Sequence, residues 1–235
     1  MADSASPSLA RRSLAEGMAT FALVFAGCGA IVTDATPGGA LGAVGVAFTF
    51  GLVIMAMIYA TGHLSGAHIN PAITCAFTLS RHFPLRDALA YISAQFSGAV
   101  AAALLLAALW ANDPAYLGAT VPSVGVGSAL VYEIAMTAFL MFVVMAVATD
   151  TRAVGAAAAI AVGGTVALNA FFGGPITGAS MNPARSFGPA LASGTWTDFW
   201  LYILGPLLGA WIGAFAYQIV RGEPQQHPTA SPDGD

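Results

Sequence analysis

Two short segments and one arginine concentrate the chemistry of this chain. Asn70-Pro71-Ala72 and Asn182-Pro183-Ala184 each set an amide just before a proline, and Arg185 follows the second. An asparagine amide offers two N–H donors and one carbonyl acceptor. A guanidinium offers five donors and a permanent charge. Groups of this kind can donate to an oxygen-bearing solute; by themselves they do not make or break bonds. No nucleophile–base pair and no metal-ligand cluster stands beside them, and Cys28 and Cys75 lack metal-ligand spacing. The expectation is a binding or conducting protein with no cofactor, no metal and no enzymatic activity.

Composition says where such groups must work. Of 235 residues, 57% are hydrophobic and only 8% are charged, against about 25% charged in soluble domains. That deficit excludes a soluble surface, intrinsic disorder and a disulfide scaffold. A net charge of -4 without a single lysine excludes a nucleic-acid partner. A helix crossing a bilayer needs about 20 apolar residues. Six such runs are present, at roughly 13–32, 41–61, 87–111, 128–149, 154–172 and 200–220. Their Gly and Ala content lets helices approach closely. The segment Phe25-Ala-Gly-Cys28 loosely matches a lipoprotein cleavage site. Its Phe and the apolar run continuing beyond it favour a retained span.

All seven basic residues are arginines, and six (Arg11, Arg12, Arg81, Arg86, Arg152, Arg221) fall on one side of a six-span topology. The connections on the other side, around Asp34, Asn112, Asp113 and Asp198, carry no free basic residue. The positive-inside rule makes the arginine-rich side cytoplasmic, with both termini there, in a plasma (inner) membrane. Residues 1–12 and 222–235 read as tails, and 13–221 as one channel domain. The seventh arginine, Arg185, lies among apolar segments, where a charge is expensive and marks function.

The chain also repeats itself. Residues 62–72 match 174–184 at an offset of 112, and Glu16 matches Glu133, each with Thr four residues on. The repeats cover about 13–111 and 128–221. Three spans per repeat invert the second against the first, which puts a transport site at their interface. After each Asn-Pro-Ala comes a run too short to cross the membrane. Asn suits the N-cap and Pro the first helical turn. Asn70 and Asn182 therefore read as caps of two re-entrant half-helices pointing at each other, their NH2 groups free to donate into a cavity. The stretches 62–69 and 173–181 are expected to be extended. The fold class is all-α: six transmembrane helices plus two re-entrant half-helices in an inverted repeat.

Paired Asn-Pro-Ala boxes, the second followed by Arg185, with glutamates in the first and fourth spans, resemble the major intrinsic protein (aquaporin) family over about residues 10–221. Tyr59-Ala-Thr-Gly-His-Leu-Ser-Gly-Ala-His-Ile-Asn70, residues 149–154 and Gly178-Ala-Ser-Met-Asn182 are especially similar to plant nodulin-type members and their bacterial relatives. The resemblance implies a channel for water, glycerol and uncharged metalloid acids such as arsenous acid. It also implies a homotetramer in contact with membrane lipids, with one pore per subunit. Matched by spacing, the family's four-position selectivity filter falls on Phe50, Ala170, Ala179 and Arg185. Water-selective members usually carry His at the position of Ala170, and glycerol-type members Asp where Ser186 stands. The set here is neither, and two alanines imply a wide opening.

The remaining residues divide between lining and support. Glu16 and Glu133 read as structural acids that accept hydrogen bonds from irregular backbone in their own repeats. His63 reads as lining the cytoplasmic vestibule, where its charge could bias gating. His68 and Cys75 read as packing, and Tyr116, Trp196 and Trp200 as interfacial anchors. Besides a wide neutral-solute channel, the sequence admits a strict water pore and, more remotely, a proton-coupled transporter using Glu16 and Glu133.

Overall fold

The structure, a computed structural model, describes residues 7–110, 115–150 and 157–222. Arg152, Asn112, Asp113 and most of the two tails lie outside the described residues. Among the described residues, eight α-helices and one 3-10 turn follow in order. They are α1 (Leu9–Ala35), α2 (Gly42–Ser65), α3 (Pro71–Leu79), α4 (Leu85–Leu109), the turn Tyr116–Gly118, α5 (Val126–Thr149), α6 (Ala158–Thr177), α7 (Pro183–Ser193) and α8 (Leu201–Arg221). Six of them, all but α3 and α7, are long and apolar enough to cross a membrane. At 1.5 Å per residue, the 9 residues of α3 and 11 of α7 together span about 30 Å, one hydrocarbon thickness. The chain is a multi-pass membrane protein.

Packing follows the repeat. In one half α1 lies against α2 and α4, and in the other α5 lies against α6 and α8. The short helices cross over: α7 packs against α4 and α3 against α8, each in the opposite repeat. Close approach needs glycine at matched places. A Cβ on Gly98 of α4 would overlap the Gly17 carbonyl oxygen of α1, and one on Gly209 of α8 would overlap the Ile134 carbonyl oxygen of α5. Outward-facing side chains such as Leu14, Phe48, Leu104, Phe172 and Phe215 are large and apolar, which suits a lipid solvent.

Three expectations need correction. Residues 9–12 belong to α1, not to a tail, because the Ser8 hydroxyl accepts from the Arg11 N–H at 3.4 Å and starts the helix. Arg12 then pairs with Asp87 at 2.7 Å. Residues 62–65 and 173–177 are helical, not extended, although Gly, Ser and an internal Pro175 interrupt the apolar pattern. Tertiary bonds hold these last turns: Ser123 Oγ donates to the Pro175 carbonyl at 2.8 Å and Tyr91 Oη to that of Ser65 at 2.7 Å. The irregular segments shrink to residues 66–70 and 178–182.

Candidate functional site

Both irregular segments adopt the same backbone path. Each opens on a left-handed glycine (Gly66, φ 87°; Gly178, φ 82°) that ends the preceding helix. Positive φ recurs at Ala67 and Ile69 (48° and 54°) and at Ala179 and Met181 (42° and 51°). Such conformations cost of order 1–3 kcal/mol each for residues with a Cβ, so the surroundings must enforce them.

One buried carboxylate does so in each repeat. Glu16 Oε1 accepts from Ser65 Oγ (2.7 Å) and the His68 N–H (2.9 Å), and its Oε2 from the Ile69 N–H (2.6 Å) and Gln95 Nε2 (2.8 Å). Glu133 Oε1 accepts from Thr177 Oγ1 (2.7 Å) and the Ser180 N–H (2.9 Å), and its Oε2 from the Met181 N–H (2.8 Å). The matched threonines, Thr20 and Thr137, donate to the carbonyls of Glu16 and Glu133 at 2.8 and 2.7 Å. Both carboxylates are fully buried. Carboxylates suit this task because they accept several hydrogen bonds at once and donate none when ionised.

The segments present the tips of α3 and α7 to each other. Asn70 Oδ1 accepts from the Ala72 N–H at 2.9 Å; Asn182 Oδ1 accepts from Ala184 at 3.0 Å and Arg185 at 3.3 Å. Pro71 and Pro183 take the first helical turn, where a missing N–H costs nothing. The amide NH2 groups, which the sequence alone presents as free, are each partly engaged. Asn70 Nδ2 donates to the Met181 carbonyl at 2.7 Å and Asn182 Nδ2 to that of Ile69 at 2.9 Å. One hydrogen of each amide thus ties the repeats together, which leaves one for the space between them. Two positive half-helix ends, each about half a charge, face each other there.

A cavity of about 480 Å³ runs past these tips, with Asn70 and Asn182 in its wall. Phe50, Ala170, Ala179 and Arg185 all line it. Arg185 is 2% exposed, and its guanidinium carbon stands 4.9 Å from the centre of the Phe50 ring. Its Nη1 donates to the Gly118 carbonyl at 2.7 Å, which aims the group. Nε and Nη2 are buried with no hydrogen-bond partner, and no carboxylate pairs with Arg185 among the described residues. A guanidinium that shares the lining with two alanines suits a solute that brings oxygen acceptors. Among the described residues, Arg185 is the one side chain of the Asp, Glu, Lys and Arg types in the lining. Ser186, next to it, lies inside: it exchanges hydrogen bonds with Ser180 (2.6 Å) and Thr120 (2.8 Å).

At the other end the lining includes His63, an exposed residue of the last turn of α2, with Tyr59. His68 also touches the cavity, yet it packs between the rings of Phe77 (4.8 Å), Phe83 (4.7 Å) and Tyr91 (5.3 Å). Cys75 is half-buried and outside the lining. Residues that spacing could not reveal complete the site. Gly118 supplies the carbonyl for Arg185, Gln95 the fourth bond to Glu16, and Gly27 the floor beneath Phe50. These partners come from separate elements, and no motif marks them.

Residues 3–217 match the family described as Major intrinsic protein. The chain belongs to that family. Among its relatives, the aquaporin NIP1-4 of Oryza sativa subsp. japonica is 51% identical over 208 residues, covering 88% of this chain and 76% of the relative. Nodulin-26 of Glycine max is 45% identical over 211 residues, covering 90% and 78%. In fold, this major intrinsic protein matches the aquaglyceroporin of Plasmodium falciparum with a TM-score of 0.79 at 24% identity, covering 89% of this chain and 96% of that one. It is a membrane channel protein of a small-solute family, not an enzyme.

Proposed function

We propose that this major intrinsic protein conducts small uncharged solutes passively: glycerol and metalloid acids such as arsenous acid, together with water. The observation that carries this reading is the wall at Arg185, which lines the cavity together with Phe50, Ala170 and Ala179 and pairs with no carboxylate among the described residues. In this reading those four residues are the selectivity filter. A solute oxygen accepts from Arg185, passes the aromatic wall, and accepts again from the free amide hydrogens of Asn70 and Asn182. An ion would have to shed water, at several kcal/mol or more. A cation would also meet the Arg185 charge and two positive helix ends. Glu16 and Glu133, enclosed by three or four donors each, hold the tips in place and carry no protons across.

The arginine-rich side is read as cytoplasmic, which puts both termini and His63 there, in the plasma membrane. Lipid and three further copies of the chain are read as covering the outer apolar faces, one pore per subunit.

A stopped-flow panel of water, glycerol, urea and arsenous acid in proteoliposomes tests the reading. The expected result is fast water flux with glycerol and arsenous acid uptake well above empty liposomes. Uptake equal to empty liposomes would leave a strict water pore. Ala170→His extends the test, because an imidazole both narrows the ring and adds a donor. Glycerol permeability is expected to fall by about tenfold, in the range that one misfit in a shaped site produces, with water reduced far less. An unchanged ratio would mean that Ala170 does not face the solute.

A further inference from the structure

We propose that Gly27 sets the solute preference of the channel: its missing side chain is the seat that keeps the Phe50 ring back from the lumen. The inference rests on the reading of Phe50 as a wall of the solute path, and it names the residue that fixes where that wall stands.

A Cβ on Gly27 would overlap Phe50 Cε1 and lie 2.5 Å from Cδ1 and 2.6 Å from Cζ. Ordinary contact begins near 3.4 Å, so the ring would have to retreat by about an ångström. It is bracketed by α1 on one side and by the Arg185 guanidinium, 4.9 Å from its centre, on another. The open volume left to it is the cavity that Phe50 already lines with Ala170 and Ala179. Gly27 differs in this from the glycines that close helix pairs. The space above Gly98 is filled by the backbone of Gly17 and Phe21, and that above Gly209 by backbone of α5 as well as Thr137. The three atoms nearest a Gly27 side chain all belong to one ring on the solute path.

The inverted repeat supplies an internal comparison. By the offset of 117 that relates Glu16 to Glu133, Gly27 matches Val144. By the offset of 112, Phe50 matches Val162. At the far end of the cavity Val144 and Val162 both reach the lining, whereas near Arg185 Phe50 lines it and Gly27 does not. One end thus uses two side chains of middle size and the other a large one laid over none. Gly27 and Phe50 are a matched pair, and changing the first moves the second.

The test uses the full-length protein in proteoliposomes, comparing wild type, Gly27→Ala, Phe50→Val and the double variant for water and glycerol permeability. Gly27→Ala is expected to lower the glycerol-to-water ratio by about tenfold, the effect of roughly one methyl group in a fitted site. The double variant is expected to return the ratio to that of Phe50→Val, because valine leaves room for the added methyl. An unchanged ratio in Gly27→Ala, while Phe50→Val alters it, would overturn the proposal and leave the Phe50 reading standing. No change in Phe50→Val would overturn both. If Gly27→Ala alone yields no folded protein, recovery in the double variant supports the pairing. Failure of the double variant to recover would make Gly27 a helix-packing residue and end the proposal.

Discussion

Glu133→Leu is expected to abolish the folded channel. The leucine fills much of the same volume but accepts nothing. Thr177 Oγ1 and the N–H groups of Ser180 and Met181 lose their acceptor where no water can replace it. Each stranded donor costs about 1–3 kcal/mol, so the three together cost about 3–9 kcal/mol. The positive φ angles at Ala179 and Met181 (42° and 51°), whose cost of about 1–3 kcal/mol each the native fold already bears, then lose what enforces them. Total stabilities run at about 5–15 kcal/mol, so the variant loses most or all of its margin. Glu133→Gln keeps one accepting oxygen but turns an NH2 toward a backbone N–H, and an intermediate loss follows. The checking measurement is thermal unfolding of detergent-purified protein. Glu133→Leu should give no monodisperse peak, and Glu133→Gln a transition lower by roughly 10 °C, as a loss near 3 kcal/mol implies. A Glu133→Leu protein with an unshifted transition would remove the structural role and return that acid to the coupling mechanism.

Arg185→Val should leave the fold and open the channel to cations. The substitution gives up one hydrogen bond, to the Gly118 carbonyl, worth about 1 kcal/mol. It also removes the one permanent charge that the described residues place in the lining. A unit charge at 4 Å from a passing cation is worth about 4 kcal/mol at an effective dielectric of 20, nominally three orders of magnitude in rate. Solvent in the lumen screens part of this, and a rise in sodium or proton conductance of at least about tenfold is expected. Water flux should stay within about a factor of three. Liposomes carrying a pH-sensitive dye measure the proton leak directly. A leak no larger than that of wild type would mean that the half-helix ends alone exclude cations.

Those two residues were both legible in the sequence, and it is instructive why. Glu133 announced itself because Glu16 repeats it with a threonine at the same distance. Arg185 stood out as a charge in an apolar setting. The half-helices were readable for a similar reason: Asn-Pro-Ala carries its own cap and first turn. What stayed hidden involves partners drawn from other elements. Ser65 and Thr177 do the same job with different residue types, Tyr91 and Tyr202 do theirs far along the chain from the motif they hold, and Gln95 acts on Glu16 alone. Tyr202 Oη donates to the Thr177 carbonyl at 2.7 Å, as Tyr91 does to Ser65. The ends of α2 and α6 run past the point where the apolar pattern stops, for a physical reason. Hydropathy falls at residues 62 and 173 because the chain turns toward polar groups there, but the helical backbone continues for another turn under those same hydrogen bonds. The amides of Asn70 and Asn182 each have two roles, of which local pattern carries one. Spacing revealed the caps, but a bond between residues 111 positions apart leaves no trace in local pattern.

The central claim is that solutes pass through without being carried. Glycerol flux into proteoliposomes, followed as external concentration is raised and with a pH gradient imposed in either direction, tests it most directly. The account predicts a rate that climbs in proportion to concentration and is indifferent to the gradient. A rate that levels off and reverses with the gradient would contradict it.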